Sequence, residues 1–267
     1  MSISHTRDAE GKLTGTTRKI GDGDMRLEIA AGRVPGSSAW NKFGNNGALA
    51  TSATETVWDG SNAYTFPATA DITHLRQAVD QSTMRGETIE IQGLDTDYAL
   101  TVQEMVLDAA NTTTAVALGK ALRRVFRMKA LSAVVTTQNV ELRNVGGGTT
   151  YALIQAGNNQ TLMAVFTVPA DTNGYMTEYY ATLNKDAGGG DPDVVIKMWF
   201  RDNANGYAPQ IKHVQGLDSG ATSHFDHHFN PYYKITEKTD IYLNATNLSG
   251  SATADVSAGF DLILEDA

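Results

Sequence analysis

The chain has no cysteine. That absence excludes a disulfide framework, a thiolate zinc site, an iron–sulfur cluster and a cysteine nucleophile. Positive charge is also short: 21 Lys and Arg stand against 30 Asp and Glu, a formal net charge of −9. Binding along nucleic acid needs a dense cationic face that displaces counterions from phosphate, so no nucleic-acid partner is expected. Long apolar runs are missing as well. Nothing approaches the roughly 18 consecutive apolar residues of a membrane span, and residues 1–10 lack the charged start and apolar stretch of a signal peptide. The sequence therefore predicts a soluble chain with no membrane partner. The Gly-Gly-Gly runs at 146–148 and 188–190 are not followed by Lys-Ser/Thr, so they read as linkers and not phosphate cradles. No Gly-X-Ser-X-Gly elbow is present to support a hydroxyl nucleophile.

What is there points to strands. With 267 residues, 41% of them hydrophobic, the chain is long enough for one large domain or two ordinary ones, and for a real core without covalent staples. Thr88-Ile-Glu-Ile-Gln92 alternates, Gly93-Leu-Asp-Thr-Asp97 turns, and Ala99-Leu-Thr-Val-Gln-Glu-Met-Val-Leu107 resumes an extended run. Later come Leu162-Met-Ala-Val-Phe-Thr-Val168, a turn at Asn173-Gly174, and Tyr175-Met-Thr-Glu-Tyr-Tyr-Ala-Thr-Leu183. Val194-Val-Ile-Lys-Met-Trp-Phe-Arg201 follows, then an Asn-Gly turn ending at Gly206 and Gln210-Ile-Lys-His-Val214. Lys238-Thr-Asp-Ile-Tyr-Leu243 and Ser257-Ala-Gly-Phe-Asp-Leu-Ile-Leu264 close the series. Residues 114–131 contain good helix formers, but Leu122, Phe126 and Met128 also share one face of a strand, and extended structure is the preferred reading.

These patterns predict an all-β chain of two consecutive antiparallel sandwiches, Ig-like or jelly-roll-like, at 55–148 and 149–267. Residues 1–54 are rich in Gly, Ser, Thr and Asn. They carry a weak strand candidate at 25–29 and scattered anchors Leu27, Ile29, Trp40 and Phe43, and they read as an extended arm reaching onto a neighbour in a homo-oligomer. Trp199 and Phe260 are expected in the core.

Chemistry is sparse. His224, Asp226 and His228 alternate on one strand face and match a ligand set of zinc or non-haem iron. No distant segment supplies a further ligand, and Phe225, His227 and Phe229 would fill the core-facing side, so the cluster reads as the polar face of an edge strand. Asp95 and Asp97, the group Asp186, Asp191 and Asp193, and Asp202 sit where turns need carboxylates; calcium would need more oxygens than these runs offer. Arg123, Arg124, Arg127 and Lys129 form the one concentrated positive face, read as a solvated strand or a contact to an acidic neighbouring subunit. No catalytic, cofactor-binding or metal residue is assigned.

Four phrases carry a resemblance. Thr56-Val-Trp-Asp-Gly-Ser-Asn-Ala-Tyr-Thr-Phe-Pro67, Glu90-Ile-Gln-Gly-Leu-Asp-Thr-Asp-Tyr98, Asn158-Asn-Gln-Thr-Leu-Met-Ala-Val-Phe-Thr-Val-Pro169 and Asp255-Val-Ser-Ala-Gly-Phe-Asp-Leu-Ile-Leu264 resemble virion structural proteins of tailed bacteriophages from marine and other environmental sources. The resemblance covers about 55–267 and transfers no catalytic motif. It implies a non-enzymatic virion component, a head decoration or minor capsid protein or a neck or tail accessory, assembled in the host cytoplasm with copies of itself and other virion proteins. The competing expectation is a carbohydrate-binding, host-attachment module that uses Trp199, Tyr207, Tyr232 and Tyr233 as stacking platforms for a host-surface glycan.

Overall fold

The computed structural model describes residues 2–7, 13–19, 25–185 and 190–267. The N-terminal region holds a hairpin of β1 (Ser2–Arg7) and β2 (Leu13–Lys19), a short helix α1 (Met25–Ala30), and strands β3 (Ser37–Leu49) and β4 (Thr54–Thr56). The middle holds β5 (Ile72–Gln77), β6 (Thr88–Leu94), β7 (Leu100–Val106), β8 (Val116–Leu122), β9 (Arg124–Ala130), β10 (Val140–Arg143) and β11 (Thr150–Ile154). The remainder holds β12 (Val165–Thr167), β13 (Thr172–Lys185), β14 (Asp193–Asp202), β15 (Gln210–Asp218), β16 (His224–Ile235), β17 (Thr239–Asn247) and β18 (Ala254–Asp266). The protein is all-β, and every strand pairing is antiparallel.

Two double-sheet sandwiches result. In the first, the sheet ordered β11-β10-β5-β8 and the sheet ordered β7-β6-β9 enclose a core that includes Ile72, Leu75, Ile89, Ile91, Met128 and Leu142. In the second, β16-β13-β18-β3 faces β12-β17-β14-β15, with β4 also paired to β17. Its core runs from Val194, Ile196, Met198 and Phe200 on β14 to Val256, Ala258, Phe260, Leu262 and Leu264 on β18. Period-two burial is the cause: alternate side chains of a strand point to one face, and that face is apolar here. Residues 116–130 are extended, as β8 and β9.

Several expectations need correction. Residues 37–49 are not a free arm: β3 pairs along its length with β18 and closes one edge of the second sandwich. Trp40 packs in the same chain, 5.3 Å from the Phe166 ring and 6.0 Å from Phe126. Gly44 lies so close to a neighbouring segment of the same chain that a Cβ there would sit 2.2 Å from the Val57 carbonyl oxygen, so a glycine is required. Residues 25–29 are helical, and Arg33 clamps Glu28 at 2.8 Å. Glycines 146–148 are not a domain linker. They form the turn between β10 and β11, Gly147 adopts φ +68°, and the two strands pair. The first sandwich therefore continues through Ile154. The turn expected at Asn173-Gly174 lies earlier, at Asp171 with φ +55°, because both residues already belong to β13. Trp199 is only half-buried, on the sheet face opposite the core, stacked on Tyr242 at 6.3 Å. Phe260 is fully buried.

The sandwiches are joined by buried polar contacts. Arg124 of β9 grips Asp240 of β17 in a two-pronged pair at 2.8 and 3.1 Å. Lys42 of β3 donates its ammonium to the Phe126 carbonyl of β9. Phe126 itself belongs to the second core cluster, which makes the apolar interior continuous across the junction.

Candidate functional site

The His224, Asp226 and His228 side chains lie on the exposed face of β16, while Phe225, His227 and Phe229 turn inward. His228 lies 3.6 Å from Asp226 and 3.5 Å from Glu178. Among the described residues, no group of three or more His, Asp or Glu is arranged to hold a metal ion. Two of the turn carboxylates, Asp95 and Asp202, are engaged locally. Asp95 accepts the backbone N–H groups of Asp97 and Ala99 at 2.8 and 3.0 Å and pairs with Lys120. Asp202 accepts the backbone N–H of Asn205 at 3.0 Å and its side-chain amide at 2.7 Å. Asp186, Gly188 and Gly189 lie outside the described residues.

The basic run is also absorbed within the chain. Arg124 is buried on Asp240, Arg123 lies over the Tyr98 ring at 4.8 Å, Arg127 donates to the Asn41 carbonyl at 2.9 Å, and Lys129 pairs with Glu90 at 3.0 Å. Arg124 is thereby removed from the solvated face expected from sequence, whereas Arg123, Arg127 and Lys129 remain half-buried at the surface. Among the described residues, no helix is long and apolar enough to cross a membrane.

One concave feature collects several of the nominated aromatics. A cleft of about 240 Å³ opens at one end of the second sandwich, where β14 ends, β15 begins and β16 returns. Phe200, Ile235 and Thr239 are buried beneath it, and Tyr207 and Tyr233 form its exposed walls. Tyr233 is held edge-on to Phe200 with ring centres 5.4 Å apart. Asp202, Gln210, Lys212 and Lys234 supply the polar rim. The local cause is the turn after β14: Asp202 caps the loop through Asn205, Gly206 takes φ +68°, and Tyr207 follows with its backbone N–H on the Asp202 carbonyl. Tyr232 lies elsewhere, beside Arg26 and Pro231, and Trp199 faces the other side of its sheet.

Along the same edge, β15 meets β16 through a row of rings. His213 lies 4.7 Å from His227 and 5.3 Å from Tyr179, and stacks parallel to Phe225 at 6.2 Å. Its Nδ1 is buried without a hydrogen-bond partner. Burial, and secondarily the neighbouring His227, lower its pKa. Sequence reasoning nominated Tyr207 and Tyr233 but missed Lys212, Lys234 and His213. Surface lysines carry no periodic signal, and the loop end that assembles them is a product of sheet pairing.

A second surface lies on the first sandwich. Leu100, Val102 and Val106 project from one face of the edge strand β7, at 47%, 56% and 50% exposure. Compared with known proteins, the chain matches no family model, no curated protein and no solved structure.

Proposed function

We propose that the protein is a non-enzymatic structural component of a tailed-bacteriophage virion, assembled in the host cytoplasm and built into the head, neck or tail through contacts with copies of itself and with other virion proteins. The observation that carries this reading is the apolar row Leu100, Val102 and Val106 on β7. A strand that spends three of its four outward positions on exposed aliphatic side chains is suited to being covered by another protein surface. The two sandwiches joined through Arg124 and Asp240 supply a stiff body on which such a surface keeps its shape. The four phrases between Thr56 and Leu264 that resemble phage virion proteins support the same reading.

Quantitative mass spectrometry of purified particles of the encoding phage tests it. The chain should be present at fixed stoichiometry: hundreds of copies for a head protein, or a three-, six- or twelvefold number for a neck or tail protein. Its absence from particles overturns the reading.

A further inference from the structure

We propose that the cleft at the end of the second sandwich binds a single sugar unit bearing a negative charge, a uronic acid or similar carboxylated saccharide, through Tyr207, Tyr233, Lys212 and Lys234. This goes beyond the assembly reading and does not depend on it.

Tyr207 is 57% and Tyr233 37% exposed, although both rings have apolar faces that burial would favour. Neither is loose surface decoration. Tyr233 is braced against Phe200, and Tyr207 follows a turn closed by Asp202 and Asn205. One braced aromatic ring, Tyr233, and a second, Tyr207, whose backbone is anchored beside it, suit a ligand with an apolar C–H face, which is what one side of a pyranose ring offers. The bracing of Tyr233 lowers the ordering entropy that opposes binding.

Charge gives the second half. On a chain of net charge −9, this rim presents two ammonium groups and one carboxylate. The carboxylate of Asp202 is occupied by two donors from Asn205. Among the described residues, the ammonium of Lys212 rests only on the neutral Gln210 amide oxygen, at 2.8 Å. Lys234 makes no ion pair among the described residues. The rim can therefore receive an anion without breaking an existing salt bridge. Volume sets the size of the guest: about 240 Å³ is smaller than the usual 300–1,000 Å³ of drug-sized pockets, enough for one ring and not for a buried oligosaccharide. The rest of a chain would lie in solvent.

The test uses the full chain on a glycan array containing uronic-acid-bearing and neutral saccharides, followed by titration calorimetry with the acidic oligosaccharide retained best. The expected result is saturable binding that prefers acidic sugars at least tenfold and weakens as salt rises. Tyr207→Ala and Lys234→Gln should each reduce affinity at least fivefold while leaving the circular dichroism spectrum unchanged, and Tyr232→Ala, away from the cleft, should have no effect. No binding to any acidic saccharide, equal binding of neutral ones, or affinity unchanged in both cleft variants overturns the proposal. A chain found in particles that fails this test leaves the assembly reading standing, and a sugar binder absent from particles does the reverse.

Discussion

Substituting Asp240 tests how the two sandwiches are held together. Its carboxylate is fully buried and receives three hydrogen bonds: Arg124 Nε at 2.8 Å, Arg124 Nη2 at 3.1 Å and the Thr167 hydroxyl at 2.7 Å. The guanidinium is 4% exposed, spends Nη1 on the carbonyls of Pro67 and Arg123 at 2.7 and 2.9 Å, and lies 5.3 Å from the Phe66 ring centre. Asp240→Ala would strand that cation in the junction. Removing one member of a buried ion pair costs about 3–5 kcal/mol, mostly as the penalty on the survivor, and the orphaned Thr167 hydroxyl adds about 1 kcal/mol or more. At about 2–4 °C per kcal/mol for a protein of this size, the thermal midpoint should fall by at least about 6 °C. Replacing both partners, Arg124→Met with Asp240→Leu, should recover most of the loss, since a well-packed apolar pair removes both desolvation penalties. Urea unfolding followed by far-UV circular dichroism measures the parent, Asp240→Ala, the singles Arg124→Met and Asp240→Leu, and the double variant. The pair of exposed Arg85 with Asp80 is the control, and Arg85→Ala, which leaves the bonds from Thr112 to Asp80 in place, should cost no more than about 1 kcal/mol. A loss below 1 kcal/mol for Asp240→Ala, or a double variant worse than the sum of the singles, refutes the reasoning.

Lys42 is buried and, among the described residues, has only the Phe126 carbonyl to receive its protons, and burial, then Arg127, holds its pKa well below the ordinary lysine value. The unfolded chain thus binds more protons, so this group's contribution to stability rises with pH toward about 10.4; Lys42→Met should unfold at higher urea at pH 7 and flatten that slope, and a less stable variant would contradict it. Asp59 is the opposite case: burial raises its pKa to about 7 despite the Leu162 N–H it accepts. The native state then holds the extra proton, its contribution is complete below about pH 4 and is lost as pH rises through 7, so Asp59→Asn should gain on the parent above pH 7 in thermal melts. Phe260→Ala empties a fully buried site and should cost about 3–5 kcal/mol, whereas Trp199→Ala, losing a half-exposed stack on Tyr242, should cost less than half of that in the same urea assay. If the β7 row is a subunit contact, Val102→Asp should weaken self-association in sedimentation velocity without lowering the midpoint of unfolding, and unchanged association would remove β7 from the interface.

The residues that were easy to read and those that were not differ in how their strands are buried. β14 and β18 cover one face with Val, Ile, Met, Phe and Leu, so alternation alone shows both the strand and its inward side, and the same parity places Trp199 with Lys197 and Arg201 on the outer face. β3 is equally structural, but its inward positions include Lys42, Gly44 and Asn46, which look like loop in any hydrophobic pattern. Gly44 faces inward where the Val57 segment approaches too closely for any side chain, whereas Lys42 and Asn46 are buried on polar partners, the Phe126 carbonyl and Glu55. The glycines at 146–148 would look alike in a linker or a hairpin, and only the pairing of β10 with β11 decides. In the cleft, tyrosine rings stand out by type, whereas Lys212 and Lys234 meet only because the chain leaves one sheet after β15 and returns in the other as β16.

The least legible feature is the one that joins the halves. Strict alternation along β9 would turn Val125 and Met128 to opposite faces, yet both lie in the core of the first sandwich, while Phe126 lies in that of the second. The register between β6 and β9 slips between Gln92 and Gly93, and an extra residue in one strand breaks parity there. Gly93 permits the slip, since a Cβ at that position would stand 2.2 Å from the Arg124 carbonyl oxygen. The missing side chain on β6 thus lets the β9 backbone approach, and the slip sends the guanidinium into the junction where Asp240 of β17 waits. Any residue larger than glycine at 93 would have to push β9 away and carry Arg124 from its partner, so the buried pair depends on a position 31 residues earlier than its arginine.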